Sequence, residues 1–267
     1  MTKDPTVKMG FAVAETGSNL VRIYPPNNRK NYPPLCTVHG WQVIDIASDA
    51  KGDLYVPNGN GNIVEFAPGC GRRIATWHER EGQPDDVAVF GKTVYVGTLG
   101  NPPDKSGDVA VCTSTCNRVL RLPAVAELVG LAVDAKGNVW ASTTAGLVVW
   151  RGGKMPGQVV RGYKNPYAAG LDFANDGTLL SLDEFDPAVY TYSCDAQTAS
   201  CRQLGRWRLQ PSGYYGKLDK ANLQFQVANQ QTDQVDVYAY PGFAYQYSYS
   251  NGLGHQYNLV GITAFPM

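Results

Sequence analysis

The chain contains three histidines, and two of them open near-copies of one phrase. His39 begins "HGWQVIDIA" and His255 begins "HQYNLVGITA", each running His, any residue, aromatic, amide, two aliphatics and a later Ile. His78 stands in "WHERE", residues 77–81. Imidazole exchanges protons near neutral pH and ligates metals, so His39, His78 and His255 are candidate general acids or bases. A hydrolase or lyase would use one of them as base while a bound cation polarised the substrate. The repeated phrase also has a plainer use, a ring hydrogen-bonded within its own sheet.

Other chemistry-bearing groups cluster nearby in sequence. Asp85 and Asp86 adjoin in "QPDDVAV", and Asp183, Glu184 and Asp186 share "LDEFDP". Such a cluster is a paired-carboxylate candidate for glycoside chemistry or an ordinary solvated turn. No G-x-S-x-G elbow, H-E-x-x-H zinc motif or P-loop occurs, and the glycine-rich turn at 59–61 does not precede a helix.

The elements that must position these groups are strands. Gly 29, Pro 17 and Tyr 16 in 267 residues, without amphipathic helical periodicity, point to an all-β chain. Five segments repeat one pattern: apolar strand, Asp-x-Gly-like turn, apolar strand, polar turn, third strand ending in aromatics. They are 43–69, 84–98, 129–153, 169–192 and 216–242. A sixth copy is split between 10–26, which lacks a first strand, and 259–266, which is only a first strand. Second-strand centres Val13, Val56, Val96, Ala141, Ser181 and Val227 recur every 43, 40, 45, 40 and 46 residues. A period in this range with four strands per repeat predicts a six-bladed β-propeller, closed by its C-terminal strand so that no sheet edge is left open. One domain over 10–267 follows, with a tail at 1–9.

In that architecture innermost strands begin, and second strands end, at one face. Glu15, Asn58, Thr98, Thr143, Asp183 and Asn229 end the second strands there. Their oxygens suit a hard cation such as calcium in the central channel, or local turn capping. Trp41, Tyr163, Tyr167, Tyr214, Tyr215 and Tyr257 fall at the same rim with Asp85, Asp86 and Glu127. They form an amphipathic funnel for a small molecule, a sugar, a peptide or another protein. The three histidines lie in connections leading into innermost strands of consecutive blades at this face. Zero formal net charge and no basic run leave no nucleic-acid or membrane surface to expect, and the chain reads as a monomer.

Six cysteines are an even count. Cys112 with Cys116, and Cys194 with Cys201, bracket short hairpin turns, and Cys36 can reach Cys70 at one rim. Disulfides imply an oxidising compartment. "MTKDPTVKMG" lacks the apolar core of a signal peptide, so the expectation is a secreted or periplasmic protein whose leader has been removed.

The phrases, "GLAVDAKGNVW" most of all, resemble NHL-type and gluconolactonase-like six-bladed propellers. That superfamily includes lactonases, other hydrolases, a lyase and non-catalytic binding proteins. The resemblance implies metal ligands at the starts of innermost strands, here Ile44, Asp85, Val129, Ala169, Tyr215 and Val260. Only Asp85 matches, so a calcium ion would draw on Asp45, Asp85 and Asp86 with Glu15 or Asp183. The first reading is therefore a binding or interaction module, with a metal-dependent hydrolase or lyase at the same face as the alternative.

Overall fold

Each repeat folds as a four-stranded antiparallel sheet because its strands alternate sides every second residue and bury both faces between neighbouring sheets. A computed structural model of the chain describes residues 10–79, 82–100, 107–165, 167–183, 185–210, 213–254 and 259–265. The side chains of Gly100 and Tyr214 lie outside that description, as do the tail at 1–9, His255, Tyr257 and Glu184.

The first blade joins β24 (Leu259–Ala264) to β1 (Phe11–Glu15), β2 (Leu20–Tyr24) and β3 (Cys36–His39). The second comprises β4 (Ala47–Ser48), β5 (Leu54–Pro57), β6 (Asn62–Phe66) and β7 (Arg73–His78). The third holds β8 (Gly82–Phe90), β9 (Thr93–Gly100), β10 (Asp108–Cys112) and β11 (Cys116–Arg121). The fourth holds β12 (Leu128–Val133), β13 (Val139–Thr143), β14 (Gly146–Trp150) and β15 (Gln158–Val159). The fifth is β16 (Ala168–Phe173), β17 (Thr178–Asp183), β18 (Ala188–Asp195) and β19 (Ser200–Arg208). The sixth is β20 (Gly213–Leu218), β21 (Gln224–Asn229), β22 (Gln234–Ala239) and β23 (Ala244–Tyr249).

Innermost strands neighbour one another in the order β4, β8, β12, β16, β20, β24 and back to β4, which closes the six-bladed β-propeller. Pairing of Val13 with Ile262 and Phe11 with Ala264 makes the predicted C-terminal closure. Apolar side chains from adjoining sheets fill the wedges between blades, as where Trp140 and Leu147 of the fourth meet Leu171 and Tyr192 of the fifth.

The Asp-x-Gly turns have a local cause. In the fourth blade Asp134 Oδ1 accepts from the backbone N–H of Lys136 (2.9 Å) and Asn138 (3.0 Å), and Gly137 takes φ +78°, which a side chain resists. Asp134 Oδ2 also accepts from Asn138 Nδ2 (2.8 Å) and Trp140 Nε1 (3.0 Å), tying the turn to the core.

Three disulfides staple the far side of the ring, away from the funnel face. Cys112–Cys116 and Cys194–Cys201 close hairpins between third and outer strands, with Cα atoms 4.1 Å apart in each. Cys36–Cys70, at 6.1 Å, joins the first blade to the second. Among the described residues no helix is long and apolar enough to cross a membrane.

Candidate functional site

The oxygens that end the second strands are spent on their own turns. Glu15, fully buried, accepts from Ser18 Oγ (2.5 Å) and pairs with Arg22 (3.0 Å). Asn58 Oδ1 accepts from Trp41 N (2.9 Å), and Thr98 Oγ1 donates to Asp108 O (3.2 Å). Thr143 Oγ1 donates to Gly146 O (2.8 Å), and Asp183 Oδ1 accepts from Phe185 N and Asp186 N, both at 2.8 Å. Asn229 Oδ1 accepts from Gln231 N (3.1 Å). This is Asx- and Thr-type capping repeated around the ring. Asp186 turns outward onto Arg206, whose guanidinium holds that carboxyl below the usual range, so Asp183 and Asp186 are both engaged at the surface and Glu184 lies outside the described residues.

A recess of 340 Å³ opens at the funnel face, lined by residues of the third, fourth, fifth and sixth blades. Asp85, Glu127, Tyr167 and Tyr215 line it together, and Thr144 and Phe185 join them. β-bulges set this rim. Where the innermost strand of every blade but the second pairs with its second strand, one extra residue is inserted, at Asp85, Val129, Ala169, Tyr214 and Val260. A bulge re-aims the side chain it carries. Glu127 is held by a two-way clamp: its N–H donates to Thr144 Oγ1 (3.2 Å), and its carbonyl accepts from Thr144 N (3.0 Å). Tyr167 and Phe185 meet edge to face, centroids 5.1 Å apart at 79°, yet remain 42% and 70% exposed.

The other funnel aromatics are placed differently. Trp41 is exposed and does not line the recess. Tyr163 turns into the wedge between blades, where its hydroxyl meets Ser181 Oγ at 2.8 Å and its ring lies 5.1 Å from that of Tyr192. Burial pushes its phenol well above the ordinary range.

The centre of the ring holds a second cluster. Strand pairing aligns two columns of residues on one side of the innermost strands. The first is Asp45, Asp86, Gly130, Gly170, Tyr215 and Gly261, and the second is Ala47, Ala88, Ala132, Asp172, Lys217 and Thr263. Small residues prevail because consecutive innermost strands nearly touch. A Cβ on Gly130 would collide with the carbonyl oxygen of Ala168 and stand 2.8 Å from that of Ala169.

Asp45, Asp86, Asp172, Lys217 and Tyr215 break the small-residue rule, the first four with ionisable groups at the channel. Asp45 and Asp86 are 1% and 2% exposed, and Val87 N donates to both, at 3.2 and 2.7 Å. Burial, then the Asp45 charge, pushes Asp86 well above the usual carboxylate range. Burial also raises Asp45, against the opposing pull of the hydrogen bond from Asp86 and of Lys217. Burial favours the protonated form at both carboxyls, so the pair binds a proton more readily than free aspartates do and titrates as one unit. Asp45 Oδ1 is buried without a hydrogen-bond partner.

Lys217 Nζ donates to Leu171 O (2.7 Å). Burial works against its ammonium, but Asp172, Asp45 and Asp86 outweigh it and hold the pKa up. A cavity of 220 Å³, lined in part by Ser48, Asp172, Lys217 and Thr263, opens from there toward the far face. Neither Lys217 nor Asp172 stands out in a motif. The signal was charge in an otherwise small column, visible only with the repeats aligned to single-residue register.

His39 and His78 end outermost strands. His39 is exposed opposite Leu20, and His78 Nδ1 lies 3.3 Å from Asn62 Oδ1 of its own blade. Three strand spacings, roughly 14 Å, separate them from the channel. The structure therefore does not bring them to the recess, and His255 lies outside the described residues. The acids do not fit calcium either, a cation that wants six to eight oxygens. Glu15 is committed to Arg22, Asp183 to its turn, and the Asp45–Asp86 pair to a proton and Lys217. Among the described residues no three His, Cys, Asp or Glu side chains gather as ligands.

No protein-family model matches the sequence, and no curated protein matches it. Solved structures do match the fold. A chain of a nidogen/laminin complex aligns with TM-score 0.74 at 14% identity, covering 96% of this chain and 98% of that one. A protein of unknown function from Bacteroides caccae aligns with TM-score 0.70 at 12% identity over 97% and 99%. The periplasmic gluconolactonase of Pseudomonas aeruginosa aligns with TM-score 0.63 at 18% identity over 91% and 83%. What these likenesses establish is the fold: the chain is a six-bladed β-propeller similar to gluconolactonase-like propellers and to propellers found in protein complexes.

Proposed function

We propose that the chain is a secreted or periplasmic binding module that holds a small molecule, sugar, peptide or partner-protein loop in the funnel-face recess. The observation that carries this reading is the recess itself, where exposed Tyr167 and Phe185 stand beside Asp85 and Glu127. Rings left exposed beside polar groups suit a ligand that buries them. Three disulfides support the compartment. The test is a screen of immobilised protein against oligosaccharide and short-peptide arrays beside a Tyr167→Ala/Phe185→Ala variant. Ligands lost in the variant uphold the reading, whereas a blank array or ligands retained by the variant overturn it.

The gluconolactonase among the structural neighbours, together with Asp85 on its bulge, makes a hydrolase the second reading. Turnover of a lactone or ester by the parent that is lost in Asp85→Asn would replace binding by catalysis.

A further inference from the structure

Building on the reading of the funnel recess as a binding site, we infer that its ligand presents an organic cation, an alkylammonium or guanidinium group. Tyr167 and Phe185 meet at 79°, so they make two walls of a corner rather than a flat platform. A corner surrounds a compact head group on two sides, whereas a sugar ring needs one open face to stack on. The Glu127 carboxylate stands exposed on a fourth-blade segment whose backbone Thr144 fixes, and Asp85 lines the third-blade side. Asp183 caps the turn that carries Phe185, its Oδ1 accepting from Phe185 N at 2.8 Å. No Lys, Arg or His is among the described residues lining the recess. Ring faces and carboxylates both attract a cation, and an anion would meet repulsion from each.

Three probes separate the outcomes: agmatine, a blocked Gly-Arg-Gly peptide and the same peptide with citrulline, which keeps the shape of arginine without its charge. Calorimetric titration of the parent should show the arginine peptide or agmatine binding about tenfold more tightly than the citrulline peptide. The advantage should shrink as salt rises to about 0.5 M. Glu127→Gln and Phe185→Ala should each weaken the cationic probe by about fivefold. Preference for the peptide assigns the cation to a polypeptide side chain, and equal binding of agmatine assigns it to a free amine; both support the inference. Citrulline bound as tightly as arginine, with affinity still lost in Phe185→Ala, overturns the cation while leaving the recess as a site. Cationic binding unchanged in a Glu127→Gln/Phe185→Ala variant overturns both. No binding by any of the three probes overturns the cation, and the array screen then decides the recess.

Discussion

Replacing Asp86 by Asn tests the shared proton at the centre of the ring. An asparagine keeps both functions of the neutral acid, since its carbonyl accepts from Val87 N and its amide donates to Asp45. Asp86→Asn should therefore cost less than about 1 kcal/mol near pH 5. Asp45→Asn removes the carboxylate facing Lys217 and leaves Asp172 as the remaining counter-charge, at a cost of about 1.5–3 kcal/mol, the worth of a charged hydrogen bond. The pH dependence follows from the raised pKa values of the pair, against 3.8 for an ordinary aspartate. Stability due to the extra proton is fully present below 3.8 and is lost as pH rises through the raised folded value. One proton contributes at most about 1.4 kcal/mol per pH unit to that fall. Asp86→Asn abolishes the proton, so the variant should gain on the parent by up to that slope as pH rises. Urea unfolding at a series of pH values, followed by tryptophan fluorescence with disulfides intact, measures both quantities. An Asp86→Asn variant as unstable as Asp45→Asn, or a gap to the parent that does not widen with pH, would refute the assignment.

Gly130→Ala forces a methyl against the carbonyls of Ala168 and Ala169 and should cost about 3 kcal/mol in denaturant melts. Asp134→Ala removes the acceptor of four hydrogen bonds at the fourth-blade turn and should cost about 2–3 kcal/mol, seen as a lower urea midpoint with unchanged slope. Loop entropy ranks the disulfides: Cys36→Ser/Cys70→Ser, which opens a separation of 34 residues, should cost about 4 kcal/mol. Cys194→Ser/Cys201→Ser, with a separation of 7, should cost about 2.5 kcal/mol, and equal losses would argue against the entropic origin.

The propeller was legible because its signal repeats. Each blade carries the same alternation and turn chemistry, so an ambiguous segment such as β4, only Ala47–Ser48, is placed by its better-formed equivalents. The cysteine partners followed from the same register, because hairpin neighbours and adjacent outer edges fix which thiols meet. The channel was less legible. Asp85 and Asp86 looked like alternative ligands for one site, and no motif marked Lys217. Tyr163 and Trp41 shared a rim with Tyr167 by sequence position, but sequence position does not say which way a connection turns once it leaves the sheet. The histidines show the same limit: sequence position put His39 and His78 in connections to innermost strands, whereas both end outer strands.

In the third, fourth and fifth blades the bulges divide the recess wall from the channel column. Side chains alternate sides along a strand, so one inserted residue changes the side presented before it relative to after it. In the third blade the insertion falls between Pro84 and Asp86, at Asp85 itself. Asp85 consequently lines the recess, while its neighbour is buried against Asp45 with a shared proton. Without the extra residue the two carboxyls would alternate across an unbroken strand, and the rim would lose its register with the channel columns. In the fourth and fifth blades the same insertion puts Val129 and Ala169 on the recess wall, and Gly130 and Gly170 follow in the channel column. One local irregularity, copied in five of the six blades, thus frees the funnel rim to vary. The residues beyond it remain bound by the close approach of neighbouring strands.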